Sequence, residues 1–190
     1  MSDLGVFEKA LTDLSSVFKN NNVPYMIIGG LANAIWGHPR ATLDIDVTIW
    51  VLDDQIQKLL SILEEKYVFM VEEPIDFISK TRVLPIKNKE NLRIDIIFGA
   101  LPFEKDALVR AVEVKVGNSF IKFCTAEDLI LFKIISERSK DLEDVRNLLW
   151  YQRDNLDYSY LEPRIKELSD LLDRPGIRQN WNKWKEDKEH

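Results

Sequence analysis

A chain of 190 residues has room for one ordinary core, or for a catalytic domain with a small helical appendage, and is cramped for two full domains. Its 45% hydrophobic and 31% charged residues exclude a disordered chain, and a net charge of −6 argues against a general electrostatic grip on nucleic acid, although a local basic groove can lie within a negative total. A single cysteine, Cys124, cannot form an internal disulfide, and without the basic start and apolar run of a secretory signal the expected location is cytoplasmic.

In chain order, Ser2 or Asp3 can cap a first helix in which Val6, Phe7, Ala10, Leu11, Leu14, Val17 and Phe18 recur at helical spacing. The uncharged run from Asn20 to Gly37 approaches the length of a membrane span, but Pro24, Gly29, Gly30 and its asparagines read instead as a strand, a turn and a short helix. Tyr25 to Ile28 is that strand, and Leu31 to Trp36 winds a helix stopped by Gly37. After a loop, Leu43, Ile45, Val47 and Ile49 alternate with Asp44, Asp46, Thr48 and Trp50, which predicts a strand with two faces.

Asp53 or Asp54 caps the next predicted helix, with Ile56, Leu59, Leu60, Ile62 and Leu63 inward, and Tyr67 to Val71 reads as a strand. Arg82 to Ile86 and Leu92 to Phe98 flank the polar link "KNKEN" and predict an antiparallel pair. Ala111 to Phe123 predicts a hairpin about Gly117 and Asn118, and Thr125 with Asp128 forms a capping box. The rest is helical: Ala126 to about Glu137, Leu142 to about Gln152, Tyr158 to Leu172, then a frayed tail after Pro175 and Gly176. Trp181 and Trp184 in that tail read as packing on the domain or on a second subunit, in preference to stacking on a base. The fold class is therefore α+β, a mixed and mostly antiparallel sheet flanked by helices. Residues 1–124 form the core and residues 125–190 a helical part, with a soft boundary near Cys124.

The chemistry sits on the strands. Residues i and i+2 of a strand project to one side, so Asp44 and Asp46 hold their carboxylates side by side. A solvent-facing strand with ion pairs to Arg40 or Arg93 accounts for them, and so does a divalent cation such as Mg²⁺ shared between them. Asp95, interrupting the apolar "RIDII", either pairs with Arg93 or adds a third carboxylate. Three carboxylates on neighbouring strands can hold two cations for an in-line phosphoryl displacement. Gly29 and Gly30 either serve a tight strand-to-helix turn or let backbone N–H groups approach phosphate oxygens. A glycosidase pair is disfavoured, because its two carboxylates must face a sugar from opposite sides.

The segment "GGLANAIWGHPRATLDID", followed by "RIDII" and "TAEDLILFKIISERSKDLEDV", resembles the nucleotidyltransferase superfamily that includes DNA polymerase beta, and is particularly similar to its AbiEii-like toxin branch. The resemblance covers roughly Val23 to Leu149 and implies Mg²⁺-dependent transfer of a nucleoside monophosphate from an NTP to a hydroxyl, with loss of pyrophosphate. It implies that Asp44, Asp46 and Asp95 hold two Mg²⁺ ions and that Gly29 and Gly30 bind nucleotide phosphates. Lys133 matches a lysine facing the nucleotide, and Asp141 or Asp144 an acidic position after it. Arg40, just before the aspartates, can neutralise a phosphate or brace the carboxylates, and Thr42 of the same motif is a further candidate.

Lys133 also reads as a lysine that snorkels to water from an apolar helix, and His38 as a solvent-exposed loop residue or a proton carrier. The acceptor implied is a tRNA 3′ end, a small hydroxylated molecule or a protein side chain. Toxin membership implies an antitoxin partner, oligomers are open, and no membrane contact is expected. Leu31 departs from the serine that much of the superfamily places after its glycines. The alternative is therefore a module of the same fold, binding nucleotide or protein, that has lost catalysis; uncompensated carboxylates on apolar strands oppose it.

Overall fold

The computed structural model describes residues 3–186. Helix α1 spans Asp3–Asn20, and its predicted stripe buries Ala10, Leu11, Leu14, Val17 and Phe18. Ser2, one of the two proposed caps, lies outside the described residues. Strand β1 (Tyr25–Ile27), helix α2 (Gly29–Trp36) and strand β2 (Asp44–Ile49) follow, then α3 (Ile56–Glu64), β3 (Val68–Phe69), α4 (Pro74–Thr81), β4 (Val83–Lys87) and β5 (Arg93–Phe98). Helix α5 (Pro102–Arg110) leads into the hairpin β6 (Val112–Val116) and β7 (Ser119–Phe123). The chain continues in α6 (Ala126–Ile134), α7 (Ser139–Gln152), α8 (Tyr158–Leu171) and α9 (Pro175–Glu186).

The seven strands form one sheet in the order β3-β4-β5-β2-β1-β7-β6. Four neighbouring pairs are antiparallel, and the β2/β5 and β1/β7 pairs are parallel. The fold is thus the expected α+β, mixed and mostly antiparallel. β2 and β5 lie inside the sheet, where both backbone edges are paired, and alternation puts Ile45, Val47, Ile49, Ile94 and Ile96 at zero exposure. Burying side chains of this size, at about 25 cal/mol per Å², dominates the stability of such a layer.

By packing, the chain divides into two compact units. The first runs to Leu31 and resumes from Ala41 to Cys124; the second comprises Ala32–Arg40 and the chain from Thr125 onward. The first unit holds the sheet. In the second, α6 to α9 bury Leu129, Ile130, Val145, Leu148, Leu161, Ile165 and Trp181, and the end of α2 is tied in by Gln152 Nε2 donating to Trp36 O at 2.6 Å. Thr125 caps α6 as expected, with Asp128 N–H donating to Thr125 Oγ1 at 3.2 Å, while the hydroxyl donates to Asp128 Oδ2 at 2.8 Å.

Several expectations are corrected. Asp53 and Asp54 do not cap α3: they lie within a 3₁₀ turn, Asp53–Gln55, that precedes it. The strand predicted from Tyr67 shrinks to Val68–Phe69, because the Tyr67 N–H closes α3 on Leu63 O. Leu43, expected to share a strand face with Ile45, Val47 and Ile49, precedes β2 and is 85% exposed. Arg82 is not a strand residue; it closes α4 in a left-handed conformation with φ 59°. The tail after Pro175 and Gly176 is helix α9, with Trp181 buried. The run from Asn20 to Gly37 resolves into β1 and α2, and among the described residues no helix is long and apolar enough to cross a membrane.

Candidate active site

β2 and β5 pair in parallel with Asp46 opposite Asp95 and Asp44 opposite Arg93. Because i and i+2 share a face, this register gathers three carboxylates and one guanidinium into a two-by-two block. One oxygen from each of Asp44, Asp46 and Asp95 lies within 4.8 Å of the others, and all three residues are half-buried. Thr42 Oγ1 donates to Asp44 Oδ1 at 2.9 Å and to Asp44 O at 3.3 Å. Arg93 Nε donates to both oxygens of Asp95, at 2.9 and 3.1 Å. That hydrogen bond first, then the charge of Asp95 and of Asp44 and Asp46, raises the Arg93 pKa above its ordinary value. The two sequence readings of Asp95, ion pair and third carboxylate, therefore coexist.

The glycine pair has a close-packing cause. Gly29 opens α2 with φ 64°, a conformation that favours glycine. A Cβ there would overlap Asp46 Oδ2 and lie 2.7 Å from Asp46 Cγ; one at Gly30 would lie 2.7 Å from Thr42 Oγ1. Without side chains at 29 and 30, the start of α2 rests directly on the carboxylate of Asp46 and the hydroxyl of Thr42. The Ile28 N–H, donating to Asp46 O at 2.9 Å, fixes this approach.

The second unit carries a separate charged network. Lys133 is 4% exposed and donates to Asp141 Oδ1 at 3.0 Å and to Asp144 Oδ2 at 2.7 Å, so it does not snorkel to water. Arg40 brings Nε and Nη2 to Asp144 at 3.2 to 3.4 Å, and it is to Asp144 that it supplies an ion pair. Asp141 also accepts from Ser136 Oγ at 2.7 Å and from Arg138 Nε, two partners that sequence reading missed. Burial pushes the Asp141 carboxyl up, but the Ser136 hydrogen bond and the Lys133 and Arg138 cations outweigh it and hold its pKa below the ordinary value. His38 stacks on Tyr151, with Nδ1 3.3 Å from its hydroxyl.

A mixed sheet with a carboxylate triad across two parallel strands and a glycine turn resting on one of the carboxylates is the arrangement expected from the resemblance to nucleotidyltransferases. The chain belongs to the family described as nucleotidyltransferase of unknown function (DUF6036), whose profile matches residues 6–190. No curated protein sequence is significantly similar to it. Among solved structures, the lincosamide antibiotic adenylyltransferase LnuA, lincomycin-bound, matches at 21% identity with a TM-score of 0.51, over 74% of this chain and 95% of that one. The antibiotic-resistance factor ANT(2'')-Ia matches at 15% identity with a TM-score of 0.57, over 94% of both chains. An antigenic nucleotidyltransferase-like protein from Paracoccidioides brasiliensis matches at 15% identity with a TM-score of 0.52, over 91% of this chain and 90% of that one. These likenesses are of fold, and they agree with the superfamily expected from the sequence.

Proposed function

We propose that the protein transfers a nucleoside monophosphate from an NTP to a hydroxyl acceptor, with Asp44, Asp46 and Asp95 as the catalytic carboxylates. The observation that carries this reading is the convergence of those three side chains, within 4.8 Å, beside the glycine-led start of α2. The donor set fits a hard cation: it is all carboxylate oxygen, the chemistry that Mg²⁺ takes alongside substrate phosphates. Asp44, Asp46 and Asp95 would hold it, as two ions. Bound there, Mg²⁺ would offset the charge of the phosphate chain and of the departing pyrophosphate.

The chain's own residues supply orientation and a proton acceptor. Thr42 fixes the Asp44 carboxylate by its hydrogen bond, and without metal Arg93 holds that of Asp95. Gly29 and Gly30, having no side chains, would let the first N–H groups of α2 approach phosphate oxygens, as the sequence resemblance implies. The acceptor oxygen attacks the α-phosphorus, the bond from that phosphorus to the β-phosphate oxygen breaks, and pyrophosphate leaves with the bonding pair. The hydroxyl proton passes to Asp95. Arg40 and Lys133 enter as nucleotide contacts on the sequence resemblance; of the two, Arg40 has the more accessible side chain, at 33% against 5%.

The acceptor we favour is a small hydroxylated molecule, as the antibiotic substrates in the names of the structural neighbours suggest. A tRNA 3′ end, with a toxin role and an antitoxin partner, is the narrower reading from the AbiEii-like resemblance. Incubation with each α-labelled NTP, Mg²⁺ and panels of aminoglycosides, lincosamides and tRNA tests the assignment. Label in an acceptor, lost with Asp46→Asn, supports it, and its position identifies the acceptor class. Absence of label from every acceptor, the protein itself included, argues against transfer.

A further inference from the structure

Arg93 is the one cation in the two-by-two block on β2 and β5. It lies opposite Asp44 in the strand register and donates through Nε to both oxygens of Asp95. Its side chain is 50% exposed while that of Asp95 is 16% exposed, so the guanidinium has an open route away from the carboxylate it covers. Both are β5 residues at i and i+2, so no backbone movement is needed to part them. Without a cation, three carboxylates with oxygens inside 4.8 Å repel one another, and one fixed positive charge lowers that repulsion.

Resting on the reading of this site as a metal site, we propose that Arg93 is its resident counter-ion: it holds Asp95 while no metal is present and yields Asp95 oxygens when a divalent cation binds. The contest is over the same two oxygens, since both are engaged by one nitrogen and a metal that takes either must share it with that hydrogen bond or displace it. It is also electrostatic, since a guanidinium beside the triad opposes the arrival of a second cation. Arg93 is thus a positioning residue that trades metal affinity for stability of the metal-free protein. An arginine that merely supported Asp95 in the metal-bound state would have the opposite effect on affinity.

The two roles separate on metal binding without any substrate. Mn²⁺ is titrated into wild type, Arg93→Gln, Arg93→Ala and Asp44→Asn/Asp46→Asn, with free Mn²⁺ read by electron paramagnetic resonance and melting followed with and without the metal. Both Arg93 variants are expected to bind Mn²⁺ more tightly, on the order of tenfold for removal of a neighbouring positive charge. They should also melt lower than wild type without metal and gain more from its addition. Equal or weaker Mn²⁺ binding by Arg93→Gln and Arg93→Ala, with wild type binding normally, overturns the counter-ion role and leaves the metal site standing. If wild type and both Arg93 variants all fail to bind Mn²⁺, the metal-site reading itself falls, and the counter-ion role with it.

Discussion

Gly29 and Asp46 are in such close contact that a single methyl group on residue 29 would occupy the space of the Asp46 carboxylate. The start of α2 and the acidic face of β2 are therefore one packed unit, and the carboxylate is held by shape as well as by charge.

Gly29→Ala should accordingly be costly. The left-handed φ of 64° and the overlap with Asp46 add, for a loss of about 2–3 kcal/mol in stability. Chemical denaturation measures it. A variant as stable as wild type would show that Asp46 can withdraw from α2 at no cost.

Thr42→Val keeps the size of the side chain and removes the hydroxyl that donates to Asp44 at 2.9 Å. Stability should fall by only about 1 kcal/mol, the net worth of one such bond. Nucleotide transfer should fall further, by roughly tenfold, because Asp44 loses its orientation. Comparing melting temperature with transfer rate for this variant tests the split; an unchanged rate would confine Thr42 to a structural role.

Lys133 is buried between Asp141 and Asp144, so Lys133→Met removes the cation the two carboxylates share and leaves Asp144 with Arg40 and Asp141 with Ser136 and Arg138. The expected loss is about 2–3 kcal/mol, below that for a wholly uncompensated buried charge because Arg40 and Arg138 remain, and much of it is recovered in Lys133→Met/Asp141→Asn, where the charge left behind is reduced. Equilibrium unfolding of the single and double variants gives the coupling. Additive losses would mean that Lys133 and Asp141 do not act as a pair.

The same network predicts an acid transition. Asp141 has a folded-state pKa below its ordinary value of 3.8, so the unfolded chain binds its proton first as pH falls. Its contribution to stability is complete above that ordinary value and is lost as pH drops below it through the folded-state pKa. Asp141→Asn should therefore flatten the stability profile below about pH 4 relative to wild type. Denaturant midpoints measured from pH 6 down to pH 3 show whether it does.

Much of this was legible in the sequence because its signals are local. Asp44 and Asp46 follow from a period of two, and Asp95 stands out as the polar residue within three isoleucines. Helices α4 and α5 carry a local signal as well, since each opens on a proline in its first turn, Pro74 and Pro102, and the same signal at Pro175 begins α9 where a frayed tail is expected. What the sequence withheld was tertiary. It gave no sign that Asp46 and Thr42 lie over the glycine pair, which is what excludes a Cβ there. Nor could the helix containing Lys133 reveal that its ammonium meets two aspartates from α7, since propensity and periodicity describe a segment and not its neighbours.

The measurement that tests the central claim most directly is calorimetric titration of each NTP into wild type and into Asp44→Asn/Asp46→Asn, with and without Mg²⁺. Binding of at least one NTP that requires Mg²⁺ and is abolished in the double variant is the predicted result. Binding of no NTP by wild type, or binding indifferent to the metal and to both aspartates, would contradict it.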